Sequence, residues 1–273
     1  MSEFPVGVAV AISPLVRRVV APNAGHMTGP GTNAYLVGVD EVAVIDPGPD
    51  EAAHVEAILG AASGRIRWIV LTHTHVDHWP AAVTLAARTG APILAHPTRE
   101  PGLRLDGRLR DGDAIEGSEF RLEALHTPGH APNHLCFRLV EERVLFTGDN
   151  VLDGMWSVVS PDRGGDMATY LASLQRMRAV RSAWLAPAHG HAIEDARARI
   201  DEYLQHRRDR ERQILRSVRH EPTTIPRLVA RLYPDLVEAL VPVAQRQVHA
   251  HLLKLRDEGA VTGRSSRTVW RAA

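Results

Sequence analysis

A single cysteine, Cys136, stands among 273 residues, so no disulfide can form within the chain. A reducing compartment is the natural expectation. No run of 18 apolar residues occurs, which leaves nothing able to cross a membrane as a helix. The opening Met1-Ser2-Glu3-Phe4 lacks the basic and apolar stretches of an export signal, and a cytoplasmic location is expected. Net charge is missing too, since 32 Lys and Arg balance 32 Asp and Glu. The balance hides an asymmetry: residues 205–273 carry 14 basic and 7 acidic side chains, and residues 1–204 carry 18 and 25. A basic tail on an acidic body points weakly to an anionic partner. Aromatic residues are scarce at 5%, leaving few platforms on which bases could stack. No repeat or low-complexity segment is visible.

What is present is ordinary globular material, 44% apolar and 23% charged, in a length that suits one large domain with a small appendage. Residues 6–12 and 15–21 are β-rich runs, and Ala34 to Val39 with Val42 to Asp46 reads as a hairpin. A helix over about 50–62, a strand Ile66 to Leu71, a helix over about 79–89 and a strand at 92–96 follow. After Gly102 come short strands at Ala114-Ile115, Phe120 to Leu125, Leu135 to Val140 and Val144 to Thr147. A helix over Asp166 to Val180, a strand at Ala183 to Pro187 and a helix from Ile193 close this body. Two blocks of strands flanked by helices predict two sheets packed face to face with helices outside. From about residue 205 the texture changes: helices at Arg207 to His220, Thr224 to Leu232 and Val243 to Glu258, then two β runs within Val261 to Trp270. That order fits a winged helix, with Arg246, His249, Lys254 and Arg256 on its third helix. The expected domains are 1–204 and 205–273.

The chemistry concentrates in Thr72-His73-Thr74-His75-Val76-Asp77-His78, straight after an apolar strand. Neutral imidazole and carboxylate are ligands for zinc, iron or manganese, and this density marks a metal site. One loop cannot close such a site alone. Further candidates stand where other β runs stop: Thr127-Pro128-Gly129-His130, Thr147-Gly148-Asp149-Asn150 and Pro187-Ala188-His189-Gly190-His191. His189 and His191 compete for the last position. His96, His126 and His134 read as ordinary hydrogen-bonding histidines, although His134 lies close enough to His130 to support a ligand or meet substrate. Cys136 sits among apolar neighbours and is expected to be inert.

Together these residues resemble the metallo-β-lactamase superfamily over most of residues 6–205. The resemblance implies an α/β fold, an αββα sandwich, with two divalent metal ions at one edge, zinc first with iron or manganese as alternatives. It implies that His73, His75 and His130 hold the first ion and that Asp77, His78 and His189 hold the second. Asp149 would bridge them, and His189, directly before glycine, takes the contested position. Asp46 would support the ligands rather than bind metal. The implied chemistry is hydrolysis by a metal-bridging hydroxide, with Asp149 and Asp77 as the catalytic carboxylates and Asp77 orienting the water.

Gly31-Thr32-Asn33-Ala34-Tyr35-Leu36-Val37, Thr147-Gly148-Asp149-Asn150-Val151 and the winged-helix-like tail resemble the β-lactamase-like protein 2 branch. That branch implies either single-strand-specific endoribonuclease activity on RNA or, through its relatives, hydrolysis of thioesters of the acyl-CoA, acyl-glutathione or acyl-carrier type. No match to the helical segment of glyoxalase II thioesterases is evident, and an export-free chain with such a tail is unlike a true β-lactamase. The acidic body and few aromatics favour the thioester over long RNA. Met155, Trp156 and Val158, just after Asp149, would then line an acyl pocket, or serve as ordinary packing. A reading of another class is a DNA-binding regulator contacting duplex through Arg246 and Lys254. Against it, the basic residues are scattered, and the tail is expected to pack on the catalytic body, shaping the pocket or a homodimer interface.

Overall fold

Strand residues alternate between faces, and in this chain both faces of both sheets are apolar. The computed structural model describes residues 4–98 and 102–273, so most of the opening segment searched for an export signal lies outside the described residues. Among them, one sheet runs in order β1 (Ala9–Ala11), β2 (Val16–Val20), β3 (Asn33–Val37), β4 (Val42–Ile45), β5 (Ile66–Val70), β6 (Ile93–Ala95), β7 (Gly107–Arg108). The second comprises β8 (Ala114–Glu116), β9 (Arg121–His126), β10 (Leu135–Leu139), β11 (Val144–Gly148) and β12 (Trp184–Pro187), with β12 and β8 at its edges. Tyr35 and Val37 of β3 and Ala43 and Ile45 of β4 face inward, against Phe137, Leu139 and Phe146 of the second sheet. Their neighbours Ala34, Leu36, Val42 and Val44 face outward, under the helices α1 (Ala52–Ala62) and α2 (Pro80–Thr89).

The second sheet's outer face, with Cys136 and Leu145, is covered by α3 (Met167–Ala179) and α4 (Ala196–His220). The four layers are thus the expected αββα sandwich. β4, β5, β6 and β7 pair in parallel, as do β11 and β12, and parallel pairs need crossovers, which α1, α2 and α3 supply for β4–β5, β5–β6 and β11–β12. Because β5, β11 and β12 all end at the same edge, their following loops converge there, where ligands of such sheets bind.

The tail folds around Ile214 and Val218 from α4, Leu228 and Val229 from α5 (Ile225–Leu232), Val248 and Leu252 from α6 (Val241–Asp257), and a fully buried Trp270. Two sequence expectations shift here. The helices expected on either side of residue 205 are one helix of 25 residues, α4, which carries the chain from the sandwich into the tail without a linker. The second β run of the terminal hairpin lies past Trp270: β13 (Val261–Thr262) pairs with β14 (Arg271–Ala272). Trp270 itself bonds through its backbone to Thr223, at 3.0 and 2.8 Å. Its indole is the plug of the small core, and that burial sets where the hairpin can close.

Candidate metal centre

Asp46, directly after β4, organises the histidine loop that follows β5. Its Oδ1 accepts the Thr72 N–H at 2.7 Å, and its Oδ2 accepts the Thr72 hydroxyl at 2.5 Å and His78 Nδ1–H at 2.8 Å. One carboxylate therefore pins both ends of the loop, from a backbone with φ of 47°. The loop is tied to the second sheet as well: Leu135 N–H donates to Thr72 O at 2.7 Å, and the Asn133 amide donates to Thr74 Oγ1 at 2.7 Å.

The remaining candidates arrive from the second sheet. His130 follows β9, and its Nδ1–H donates to the Val158 carbonyl at 2.7 Å. The preceding Gly129 has φ of 127° and lies against the Tyr170 backbone, where a Cβ would come within 2.3 Å. Asp149 follows β11, and its N–H donates to His134 Nε2 at 3.2 Å. Gly148 has φ of 48°, and a Cβ there would meet His134 Nε2 at 2.6 Å. A side chain at either glycine would push a candidate ligand out of place. His189 follows β12, with Nδ1 directed at the Gly31 carbonyl at 3.3 Å. The Asn33 amide donates to Pro187 O and Gly190 O, both at 2.9 Å, and the Tyr35 hydroxyl donates to Pro187 O at 2.8 Å. The Gly31 to Val37 motif thus braces the His189 turn.

With each histidine fixed at one nitrogen or by its turn, the free donor atoms converge. His75 Nδ1 lies 2.9 Å from His73 Nε2 and 3.0 Å from His130 Nε2. Asp149 Oδ2 lies 3.9 and 3.5 Å from those two Nε2 atoms. On its other side, Asp149 Oδ1 lies 3.5 Å from His78 Nε2 and 3.3 Å from His189 Nε2. Asp77 Oδ2 completes this second group, 3.5 Å from His78 Nε2 and 3.4 Å from His189 Nε2. A tetrahedral ion with bonds of about 2.1 Å sets its ligands about 3.4 Å apart. The second group matches that spacing and the first lies on either side of it, from 2.9 to 3.9 Å, so that His73, His75, His130 and Asp149 form one candidate metal cluster while Asp77, His78 and His189 form another.

Buried polar atoms ordinarily have partners. Here His78 Nε2, His189 Nε2 and Asp149 Oδ1 are buried without a hydrogen-bond partner, facing one another. A bound cation removes that cost, so the donor set fits divalent metal.

The protonation pattern differs between the groups. Burial pushes His73 well below its ordinary value, helped by His78 and His75, and burial with His130 pushes His75 down to about 3. Burial likewise lowers His130. In the second group burial opposes protonation, but Asp149 and Asp77 together outweigh it at His189, which is pushed up to about 9. At His78 burial is outweighed by Asp77 and Asp46, and it too rises. Burial also opposes ionisation of Asp77 and Asp149, yet His78 and His189 respectively hold both carboxyls well below the usual range.

Of the histidines set aside in the sequence, His96 and His126 stack on each other at 4.5 Å outside the clusters. His191 N–H donates to Asp153 instead, at 3.0 Å, and its ring meets Phe4 at 4.1 Å. His134, by contrast, is buried behind Asp149 and supports its backbone.

A cleft opens beside these groups, with lobes of about 370 and 410 Å³ that share His130, Asp149, Met27 and Leu240. The first lobe is walled by Leu152, Met155, Trp156 and Val158 of the sandwich and by Tyr233 and Val243 of the tail. The second holds His75, Asp77, Arg163 and Arg246. The tail therefore shapes the pocket. This agrees with the expectation that the tail packs on the catalytic body and shapes the pocket, although which tail residues wall the cleft carried no sequence signal, and neither did Met27.

This is the fold and site of a metal-dependent hydrolase, and residues 27–189 match the metallo-beta-lactamase superfamily while residues 224–270 match the beta-lactamase associated winged helix domain. The chain belongs to that superfamily. Lactamase-like protein adaB of Aspergillus niger is 36% identical over 256 residues, covering 85% of this chain and 78% of that protein. An atrochrysone carboxyl ACP thioesterase of Cryptosporiopsis is 34% identical, covering 76% and 64%. The beta-lactamase-like protein 2 homolog of Caenorhabditis elegans is 30% identical, covering 92% and 87%. Among solved structures, a metallo-beta-lactamase family protein of Thermus thermophilus superposes with a TM-score of 0.79 at 25% identity, covering 96% of this chain and all of that one. TTHA1623 in a di-iron-bound form superposes with a TM-score of 0.53 at 27% identity, covering 65% and 93%. Iron in that protein leaves the metal of this fold unfixed.

Proposed function

We propose that this hydrolase cleaves thioesters of acyl groups borne on a carrier arm, at a centre of two divalent ions. His73, His75 and His130 would hold one ion and Asp77, His78 and His189 the other, with Asp149 placed between the two groups to serve both. When bound, such a pair supplies a water of lowered pKa and polarises the substrate carbonyl. The protein's own part is to keep seven ligand side chains aimed and to manage the proton. Asp77 is the ligand carboxylate more open to the cleft, with a side chain 24% exposed, so it can accept a hydrogen bond from the attacking water and orient it while the water's proton passes to solvent. The water oxygen adds to the acyl carbon, the carbon–sulfur bond breaks, and the thiolate leaves.

The observation that carries this reading is the apolar lobe running directly from His130 and Asp149. An acyl chain can lie there, inside the usual size range of small-molecule sites. Arg163 and Arg246 line the second lobe, where an anionic carrier arm would leave. The ACP thioesterase among the relatives supports the same substrate class. RNA is the weaker reading. Trp156 is stacked on His206 at 3.8 Å with Arg199 over it at 5.1 Å, and Tyr233 has Arg210 over it at 4.1 Å. Aromatics already engaged in this way make poor platforms for bases.

The regulator reading fares worse. On α6, Lys254 is tied to Glu211 and Glu258 at 2.9 and 2.7 Å, and Arg256 to Asp257 at 2.8 Å. Gln247 and Ala250 of α6 are buried. The test is a parallel assay of acyl-CoA, acyl-glutathione, acyl-carrier protein and single-stranded RNA with metal-loaded protein, using Asp149→Ala as the blank. Turnover of RNA alone, or of nothing with salt-sensitive duplex binding in its place, would overturn the proposal.

A further inference from the structure

His130 depends on a carbonyl that belongs to neither sheet. Val158 O accepts its Nδ1–H at 2.7 Å, yet residues 157–159 form no strand or helix. Something else must fix that peptide. Gln247, buried in the middle of α6, donates from Nε2 to Ser157 O at 2.8 Å and accepts Val159 N–H at Oε1 at 2.9 Å. Arg207 also donates to Ser157 O, so that carbonyl has a second anchor. The Val159 N–H has Gln247.

The geometry of a peptide bond makes this second contact consequential. Val159 N–H and Val158 C=O belong to one planar trans unit and point in opposite directions. Holding the N–H against Gln247 therefore aims the carbonyl the other way, at His130. The carbonyl then keeps the proton on Nδ1 and leaves Nε2 as a lone pair, 3.0 Å from His75 Nδ1 and 3.5 Å from Asp149 Oδ2. Hydrogen bonds in such a chain polarise one another, which also makes Nε2 a better donor to metal.

We infer that Gln247 is a positioning residue for His130, acting through the Val158–Val159 peptide, so that the winged-helix domain sets one of the two metal sites. This rests on the assignment of His130 as a ligand made above. The rival explanation is that Gln247 merely glues two domains together, and the two differ in what they change.

Gln247→Met fills the space and removes both bonds. Gln247→Glu keeps the acceptor for Val159 N–H, and as the buried protonated acid its hydroxyl can still donate to Ser157 O, which Arg207 also serves. In metal-free protein, nitrogen NMR of the histidine rings should show His130 as a single Nδ1–H tautomer in the wild type and in Gln247→Glu. In Gln247→Met it should show mixed tautomers, with His189, held at Gly31 O, unchanged. Chelator competition should show one ion weakened by roughly 10–100-fold in Gln247→Met, the other unaffected, and recovery in Gln247→Glu. If Gln247→Met does not fold, Gln247→Asn, too short to reach the peptide, carries the same comparison. A variant that melts earlier but keeps the His130 tautomer and both ions would overturn the inference. If the wild type binds no ion, the metal assignment fails instead, and the tautomer comparison still decides what Gln247 does.

Discussion

Replacing Asp46 by Asn should damage the second proposed metal site far more than its small change in size suggests. The carboxylate accepts three hydrogen bonds, two of them at Oδ2, from the Thr72 hydroxyl and His78 Nδ1–H. An asparagine can keep one carbonyl oxygen toward the Thr72 N–H, but its NH₂ then faces two donors. The Thr72 hydroxyl can rotate to accept. His78 can accept only by moving its proton from Nδ1 to Nε2, the nitrogen that lies 3.5 Å from both Asp77 and Asp149. That proton occupies the position an ion needs. Loss of such a support weakens metal binding by roughly 10–100-fold. Losing one charge-assisted bond also costs about 1.5–3 kcal/mol, worth roughly 3–10 °C of melting temperature at this size. The assay is metal content after dialysis against graded chelator, together with thermal unfolding of metal-free protein. Asp46→Asn should retain about one ion where the wild type retains two. Two ions held with unchanged affinity would refute the tautomer argument.

The two metal sites should also differ in proton release. At neutral pH His73, His75 and His130 are already neutral, whereas His189, pushed up to about 9, and His78 must each lose a proton to metal. Calorimetric titration at pH 7 in buffers of different ionisation enthalpy should find little release in one step and more than one proton in the other. Equal release would refute the assignment. By the same linkage, the protonated His189 stabilises the metal-free fold below its unfolded value near 6.5, and that contribution is lost as pH rises through about 9. Unfolding of chelated protein should therefore ease across that window, while metal-loaded protein shows no such fall. Cys136 is buried, with its thiol pushed up to about 12, so disulfide reagents at pH 8 should label it only after unfolding; rapid labelling of native protein would count against its placement. Val243→Trp fills the apolar lobe and should raise KM for long acyl thioesters at least tenfold while sparing acetyl thioesters; equal effects on both would remove the lobe from substrate binding.

The candidate ligands were legible because metal chemistry admits few side-chain types and because each stands where a β run stops. The sandwich was legible because two blocks of strands, each flanked by helices, follow one another along the chain. The continuity of α4 was not, and the reason is physical. Its inward stripe runs Ile200, Tyr203, Leu204, Arg207, Ile214, Val218, so the helical period never breaks. At the apparent boundary, though, the stripe is occupied by Arg207 and Glu211, which look like surface residues in sequence. Both are largely enclosed because partners meet them: Ser157 O and the Tyr170 ring for Arg207, Lys254 for Glu211. A charged residue can hold a core position when its charge is answered by another segment, and sequence periodicity carries no record of that segment. The same limit hid Gln247 and the identity of the tail residues that wall the cleft. Those contacts join residues far apart in sequence, through amide and carbonyl groups that every protein has. The candidate metal ligands advertise themselves by type, whereas the groups that aim them are identified only by where the fold puts them.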